Sequence, residues 1–283
     1  MLAVEWPLVR AAVAEDAEST PPALESKAFA RLERVKARVP DVDRRAWDRA
    51  VATVTAPLPS NRKVTSRAYF KLHEIVRSCV LPVPQRTLLL CEAPGGFVQC
   101  VNDWAPHATW TALTLPGGIA PCTDLLDTSK GAFVLDDVFR VAEKEDALCV
   151  DCDLVTADGA LEMNHGNLEK EHHPLLVAQT TVALRALGKG GTFVIKFFEG
   201  ATRETQAWIA WLTTRFEHVS LIKPNSSRST NSERYLVARG YDGCAWEFKD
   251  VAVAAMWARD LQRVVERMAT DQADAIERAL ARV

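Results

Sequence analysis

Much that would classify a chain at a glance is missing from these 283 residues. No apolar run approaches the ~20 residues that a membrane-spanning helix requires. The acidic start (Glu5, Glu15, Asp16 and Glu18) reads as neither a signal nor a transit peptide. Basic charge is not in excess: 34 Lys and Arg face 37 Asp and Glu, for a net charge of −3 and a pI of about 6.1. A uniformly basic nucleic-acid binder is excluded. A local basic patch is not, because binding follows the distribution of charge as well as its sum. Cys149-Val150-Asp151-Cys152 has no second CxxC to complete it, and His172-His173 is the only adjacent histidine pair. A zinc knuckle therefore lacks ligands, and no metal site is expected. Seven cysteines, an odd number without a secretory leader, read as reduced core thiols of an intracellular protein. Repeats and low-complexity tracts are absent as well.

What is present is the texture of a globular chain, 48% hydrophobic and 25% charged. Residues 1–59 read as a helical N-terminal extension. Ser26 can cap a helix over KAFARLERVKARV, with Phe29, Leu32, Val35 and Val39 on one stripe and Pro40 at its end. Asp43 can cap a second helix reaching Val54. Between residues 60 and 243, strand-like runs at 87–92, 109–115, 132–136, 153–157, 192–198, 217–222 and 234–239 alternate with helical patterns. The pattern HPLLVAQTTVALRAL is followed by Gly188 and Gly190-Gly191 as a stop. This alternation predicts an α/β fold, a mainly parallel sheet with helices on both faces and functional loops at the strands' carboxyl ends. Residues 244–283 carry Trp257, Leu261, Val264, Val265, Met268, Ile276 and Leu280 at helical spacing, which predicts one or two amphipathic helices packed on the domain.

The stretch Cys91-Glu92-Ala93-Pro94-Gly95-Gly96-Phe97 reads as a strand end, a turn and a helix start. A dinucleotide site spreads three glycines over six positions so that amides can meet a pyrophosphate, and here there are two, adjacent. No Lys-Ser or Lys-Thr follows, so a nucleoside-triphosphate loop fails too. A ligand with an adenosine half and a zwitterionic tail suits the turn better. S-adenosylmethionine is such a ligand: its carboxylate can use helix-end amides and its ammonium a carboxylate such as Glu92. A tight structural turn would explain the same residues.

Four polar residues stand at other element ends. Lys71 lies in SRAYFKL, Asp158 ends LVTADGA, Lys196 interrupts the apolar GGTFVIKFF, and Glu233 precedes a strand in NSERYLV. Singly they read as a solvated helix residue, a cap, a snorkelling lysine and a turn residue. A lysine inside so apolar a strand, however, needs a partner. In this order around PGGF, the blocks SRAYFKL, CEAPGGF, LVTADGA, GGTFVIKFF and KPNSSRSTNSERYLV resemble those of the FtsJ-like (RrmJ-type) ribose 2′-O-methyltransferases, over about residues 60–241. TADGA and KP…SR…NSERY look most like the eukaryotic and viral mRNA cap branch.

The resemblance implies a class I (Rossmann-like) methyltransferase sheet, with Lys71, Asp158, Lys196 and Glu233 around the target ribose and Lys196 central. It implies that Glu92, Pro94, Gly95, Gly96 and Phe97 line the methionine end of S-adenosylmethionine, which leaves as S-adenosylhomocysteine. Asp158 borders cofactor and ribose alike, and Asp137 in VLDDVF lies near the adenine, with Asp136 as the alternative. A ribose hydroxyl is a poor nucleophile and needs alignment and a group to take or polarise its proton. Lys196 is the residue expected to do so. One departure stands out: TWTALTLPGG offers Thr114 and Leu115 where many class I enzymes place an acid for the cofactor ribose.

An RNA substrate requires phosphate contacts, and Arg62, Lys63, Arg67, Lys223, Arg228 and Arg234 are the expected ones. A 7-methylguanosine cap would need stacking, with Trp104, Trp110, Trp208, Trp211, Trp246 and Trp257 as candidates. The partner implied is the 5′ end of capped mRNA, in nucleus, cytoplasm or a viral factory, compatible with a protein partner in a capping complex. Ribosomal or transfer RNA methylation, or a silent RNA-binding subunit of the same fold, are the competing readings.

Overall fold

The computed structural model describes residues 4–8, 26–59, 61–144, 146, 148–161, 168–244 and 255–283. Eight strands form one sheet: β1 (Val4–Leu8), β2 (Arg86–Leu90), β3 (Thr109–Thr114), β4 (Gly131–Leu135), β5 (Cys152–Ala157), β6 (Leu187–Phe198), β7 (Phe216–Lys223) and β8 (Glu233–Tyr241). Their order is β1-β7-β8-β6-β5-β2-β3-β4. Strands β2 to β6 pair in parallel, whereas β8, β7 and β1 add antiparallel. The chain leaves β2 for β3 and β4 on one side, then returns to β5 on the other. That reversal opens a crevice at the carboxyl ends of β2 and β5, where Glu92 and Asp158 stand.

Each of the seven runs read from the sequence forms a strand. Two differences are physical. Strand β6 begins at Leu187, directly after helix α6 (Leu168–Ala186), so the glycines lie within the strand rather than before it. Its pairing with β5 shifts between Cys152 and Leu154, opposite Leu187 and Thr192, which absorbs the extra residues. The N-terminal extension is not helical throughout, because Val4–Leu8 is strand β1, paired with β7. A five-residue run containing Pro7 gives little alternation, and proline is tolerated there because β1 is an edge strand.

The helices are α1 (Lys27–Lys36), α2 (Arg44–Val54), α3 (Ala68–Ser78), α4 (Gly96–Trp104), α5 (Val138–Glu143), α6, α7 (Arg203–Arg215) and α8 (Ala255–Leu280). Ser26 accepts the Ala28 amide at 3.2 Å, and Asp43 the Ala46 amide at 2.9 Å, so both expected caps start their helices. Phe29, Leu32 and Val35 of α1 are buried, each contributing ~1.5–3 kcal/mol of hydrophobic stabilisation. Arg31 ties α1 to α8 through Asp274 at 2.7 Å and Glu277 at 2.6 Å.

Strand alternation sorts the core into two layers. Leu88, Leu90, Val155, Phe193, Ile195 and Leu236 face α1, α6, α7 and α8. Leu89, Leu154, Val194, Tyr235 and Val237 face α3 and α4. With a period of two, Asp158, Lys196 and Glu233 fall on the α3 side of their strands, toward the helix that carries Lys71.

Candidate active site

Gly95 caps α4 with φ +113°, a left-handed conformation that favours glycine. A Cβ at Gly96 would lie 2.3 Å from Ser66 Oγ and 2.9 Å from the Tyr69 amide nitrogen. The second glycine is therefore required by the close approach of the α3 N-terminus, before any ligand is considered. Pro94 is half-buried and follows a cis peptide bond with Ala93, and Phe97 is fully buried in the core. Glu92 is 3% exposed, and its Oε1 accepts the Phe97 amide at 2.8 Å; the Val98 amide also serves this carboxylate. These helix-end amides, expected to serve a ligand's carboxylate, are thus taken by a carboxylate of the chain itself.

Across the crevice the structure brings together all four residues singled out from strand and helix ends. Lys196 is 7% exposed; its Nζ donates to the Asp158 carbonyl at 2.7 Å and lies 3.1 Å from Asp158 Oδ1. Lys71 Nζ donates to Glu233 Oε2 at 2.8 Å. Tyr235 donates its hydroxyl to Asp158 Oδ1 at 2.7 Å, and Ser227 donates to Glu233 Oε1 at 2.7 Å. Two ammonium–carboxylate pairs therefore stand side by side, each braced by a hydroxyl.

The charges set one another. Burial pulls the Lys196 ammonium toward lower pKa, but Asp158 and Glu233 outweigh it and hold the group above the ordinary lysine value. Burial pushes Glu233 up, yet Lys71, Lys196 and Lys223 bring it down to about 2. Glu92 goes the other way: burial, then Asp158, raise it to about 8 despite the helix-end amides. Among the described residues it has no ion-pair partner, so it is a buried carboxyl prepared for a cation. That is the observation by which the ammonium of a methionine-type ligand fits. At the end of β4, Asp136 is engaged by Lys144 at 2.8 Å and Arg140 at 3.5 Å. Asp137 caps α5 through the Phe139 amide at 2.9 Å and makes no ion pair among the described residues. Thr114 is buried at the end of β3 and Leu115 is 56% exposed.

The expected phosphate contacts divide. Arg62, Lys63, Arg67 and Arg228 are exposed; Arg62 pairs with Asp103 and lies 4.9 Å over the Tyr69 ring. Lys223 and Arg234 require correction. Lys223 Nζ is spent on Ser227 Oγ at 3.0 Å, the Asn231 carbonyl at 3.1 Å and the Glu233 carbonyl at 2.9 Å. Arg234 is 3% exposed and donates to the Asn231, Glu233 and Met268 carbonyls and to Gln272. Neither cation is available to a phosphate; both hold the loop that carries Glu233. Of the stacking candidates, Trp110, Trp208 and Trp211 are core residues and Trp104 is half-buried. Trp246 and the Trp257 side chain lie outside the described residues.

Residues missed in the sequence complete the frame. Tyr235 follows Glu233 by two on a strand, so alternation alone puts it on the same face. Glu74 accepts the Asn225 amide at 2.6 Å and the Ser226 amide at 3.0 Å, tying the loop to α3, with no sequence signal to announce it. Among the described residues no group of three His, Cys, Asp or Glu is gathered for a metal.

A buried lysine–carboxylate centre thus stands beside the glycine turn that follows Glu92, at the switch point of an α/β sheet. The fold matches a solved structure described as a ribosomal RNA methyltransferase from Plasmodium falciparum, with a TM-score of 0.51 at 18% identity. The match covers 64% of this chain and 100% of that one. The model of the FtsJ-like methyltransferase family matches residues 64–241, and the chain belongs to that family. It is 37% identical over 189 residues to the cap-specific mRNA (nucleoside-2′-O-)-methyltransferase of Autographa californica nuclear polyhedrosis virus, covering 60% of this chain and 70% of that protein. It is 28% identical over 252 residues to cap-specific mRNA (nucleoside-2′-O-)-methyltransferase 2 of Danio rerio, covering 74% of this chain and 34% of the relative. The ribosomal RNA large subunit methyltransferase E of Novosphingobium aromaticivorans is 34% identical over 188 residues, covering 63% and 79% respectively. The chain spans about a third to a half of the length of several curated relatives that it matches.

Proposed function

We propose that the protein transfers a methyl group from S-adenosylmethionine to a ribose 2′-hydroxyl of RNA, at the first transcribed nucleotides of capped mRNA. The observation that carries the reading is Lys196, buried in an apolar strand and paired with Asp158 beside the Lys71–Glu233 pair. The cofactor supplies, when bound, an electrophilic methyl carbon on a sulfonium. Glu92 would hold its ammonium group, Asp137 is the carboxylate that would face the adenine side, and the buried Thr114 hydroxyl would stand in for the acid that many related sheets offer. With Asp158 and Glu233 keeping Lys196 charged, its Nζ orients the target hydroxyl oxygen by a charge-assisted hydrogen bond and polarises the O–H bond. The lysine can take the proton itself only once its own has left, so turnover rises with pH. Lys71 and Ser227 fix Glu233, and Tyr235 fixes Asp158, so the hydroxyl meets a prealigned centre.

The relatives favour capped mRNA in the viral and zebrafish cases and ribosomal RNA in the bacterial one. No described helix is long and apolar enough to cross a membrane. The deciding experiment is methyl transfer from labelled cofactor to matched capped and uncapped RNAs, with the modified nucleotide mapped. Transfer to the capped RNA alone is the expected result. Equal transfer to both rejects the cap assignment, and transfer to neither rejects the reading.

A further inference from the structure

Outside the residues matched by the family, α1, α2 and α8 enclose a broad groove against the loop 224–232. Its floor is apolar, from Val51 of α2 and Ile276 of α8, and Trp47 stands half-buried in its wall. The indole N–H of Trp47 makes no hydrogen bond among the described residues. Lys36 and Arg44 reach the rim already partnered, by Glu199 and Asp48. Arg228 reaches it exposed, with no side-chain partner among the described residues. The uncompensated charge of the groove is therefore a guanidinium.

One loop joins the groove to the candidate centre. Arg228 and Asn231, which line it, belong to the loop whose Ser227 donates to Glu233 and whose Asn231 carbonyl accepts from Lys223. Arg67, bonded to the Ser226 carbonyl at 2.6 Å, lies near enough to Arg228 and Glu233 to feel both charges. A line of positive charge thus leads from the carboxylates of the centre to the indole. A flat aromatic wall, an aliphatic floor and an unpaired guanidinium are what one nucleotide of a single strand requires: a ring for the base and a cation for the phosphate. Trp47 packs on the core with part of its ring left in the groove, and a protein partner of matching charge would need a cluster of acids where the groove offers one free cation.

We propose that this groove receives a nucleobase of the bound RNA flanking the methylated ribose, stacked on Trp47, with its phosphate held by Arg228. The inference rests on the RNA-methylating reading of the centre. The base comes from the cap guanine or from a transcribed nucleotide, and the two have the same stacking chemistry.

Binding without turnover tests it: fluorescence anisotropy of the full chain with capped and uncapped RNAs of one sequence of about a dozen nucleotides. Trp47→Ala is expected to raise Kd about tenfold, the loss of one stacked base. Trp47→Phe should restore most of the affinity, and Arg228→Gln should weaken binding and flatten its salt dependence. A loss confined to capped RNA identifies the cap guanine, and an equal loss on both identifies a transcribed base. Wild-type Kd for Trp47→Ala on both RNAs overturns the proposal. Should Trp47→Ala unfold, wild-type Kd and salt slope for Arg228→Gln, an exposed change, overturn it instead. A groove that fails while methyl transfer persists is distinct from absent transfer to any RNA, which strikes the reading of the centre.

Discussion

Replacing Glu92 with glutamine should make the cofactor-free protein more stable, by an amount that grows with pH. The carboxyl is buried, bonded to the Phe97 amide at 2.8 Å, and held at about 8 against an ordinary value of 4.5. A folded-state pKa above the unfolded one favours folding fully only below the unfolded value, and that advantage is lost as pH rises through the folded value. Relative to acid conditions, Glu92 therefore costs under ~1 kcal/mol at about pH 5, ~3 kcal/mol at about pH 7 and ~5 kcal/mol above about pH 8, at ~1.4 kcal/mol per pH unit. Glutamine keeps an oxygen for the Phe97 amide and never ionises. Urea unfolding of both proteins at pH 5, 6, 7 and 8 should show the difference in stability widening at each step. The same variant should bind the methyl donor more weakly, because the ammonium loses its carboxylate. A stability difference that is flat across these pH values would refute the reasoning, since loss of packing or of a neutral hydrogen bond does not titrate there.

Lys196→Ala should lower kcat by ~10²–10⁴-fold with the fold intact, measured by labelled methyl transfer alongside circular dichroism; normal transfer would remove Lys196 from the chemistry. Ser227→Ala frees one oxygen of Glu233 and should cut kcat by about tenfold with little change in RNA Kd, so a change in Kd alone would place Ser227 in binding instead. Acid unfolding should reveal Glu233: its folded value of about 2 against 4.5 stabilises the protein above about pH 4.5, by ~3 kcal/mol, and that support goes as pH falls toward 2. Lys71→Met should diminish this acid sensitivity, and an unchanged acid limb would argue against the pairing. Lys63→Gln and Arg67→Gln should each lower the salt slope of RNA binding by ~0.7, whereas Arg234→Met should leave the slope unchanged and lower the melting temperature, because that guanidinium is buried.

Most of the sheet was legible because its strands are apolar and bounded by turn residues. Of the four polar residues, Lys196 interrupts an apolar strand and Asp158 ends one, whereas Lys71 and Glu233 were legible only through the ordered blocks around PGGF that resemble the family. Charge near the site was a poorer guide. Lys223 and Arg234 look like phosphate ligands in the sequence, and only their burial among carbonyls shows that they shape the Glu233 loop. Tyr235 could have been placed by counting two from Glu233, whereas Glu74 reaches the loop from another helix, a contact that no local pattern encodes. Trp47 was hidden by its segment, a helical pair whose apolar stripe reads as packing and whose groove exists only once α8 has folded against it.

The contact between Gly96 and the start of α3 has a consequence for the two reactants. The Tyr69 amide nitrogen stands 2.9 Å from where a Cβ of residue 96 would be, too close for one, so the helix carrying Lys71 is keyed to the turn following Glu92 in part through main chain. Donor side and acceptor side are thereby gauged against each other by backbone atoms, as the jaws of a calliper are set on one beam. Exchanging side chains elsewhere leaves that gauge alone, while a single methyl at position 96 would force the jaws apart.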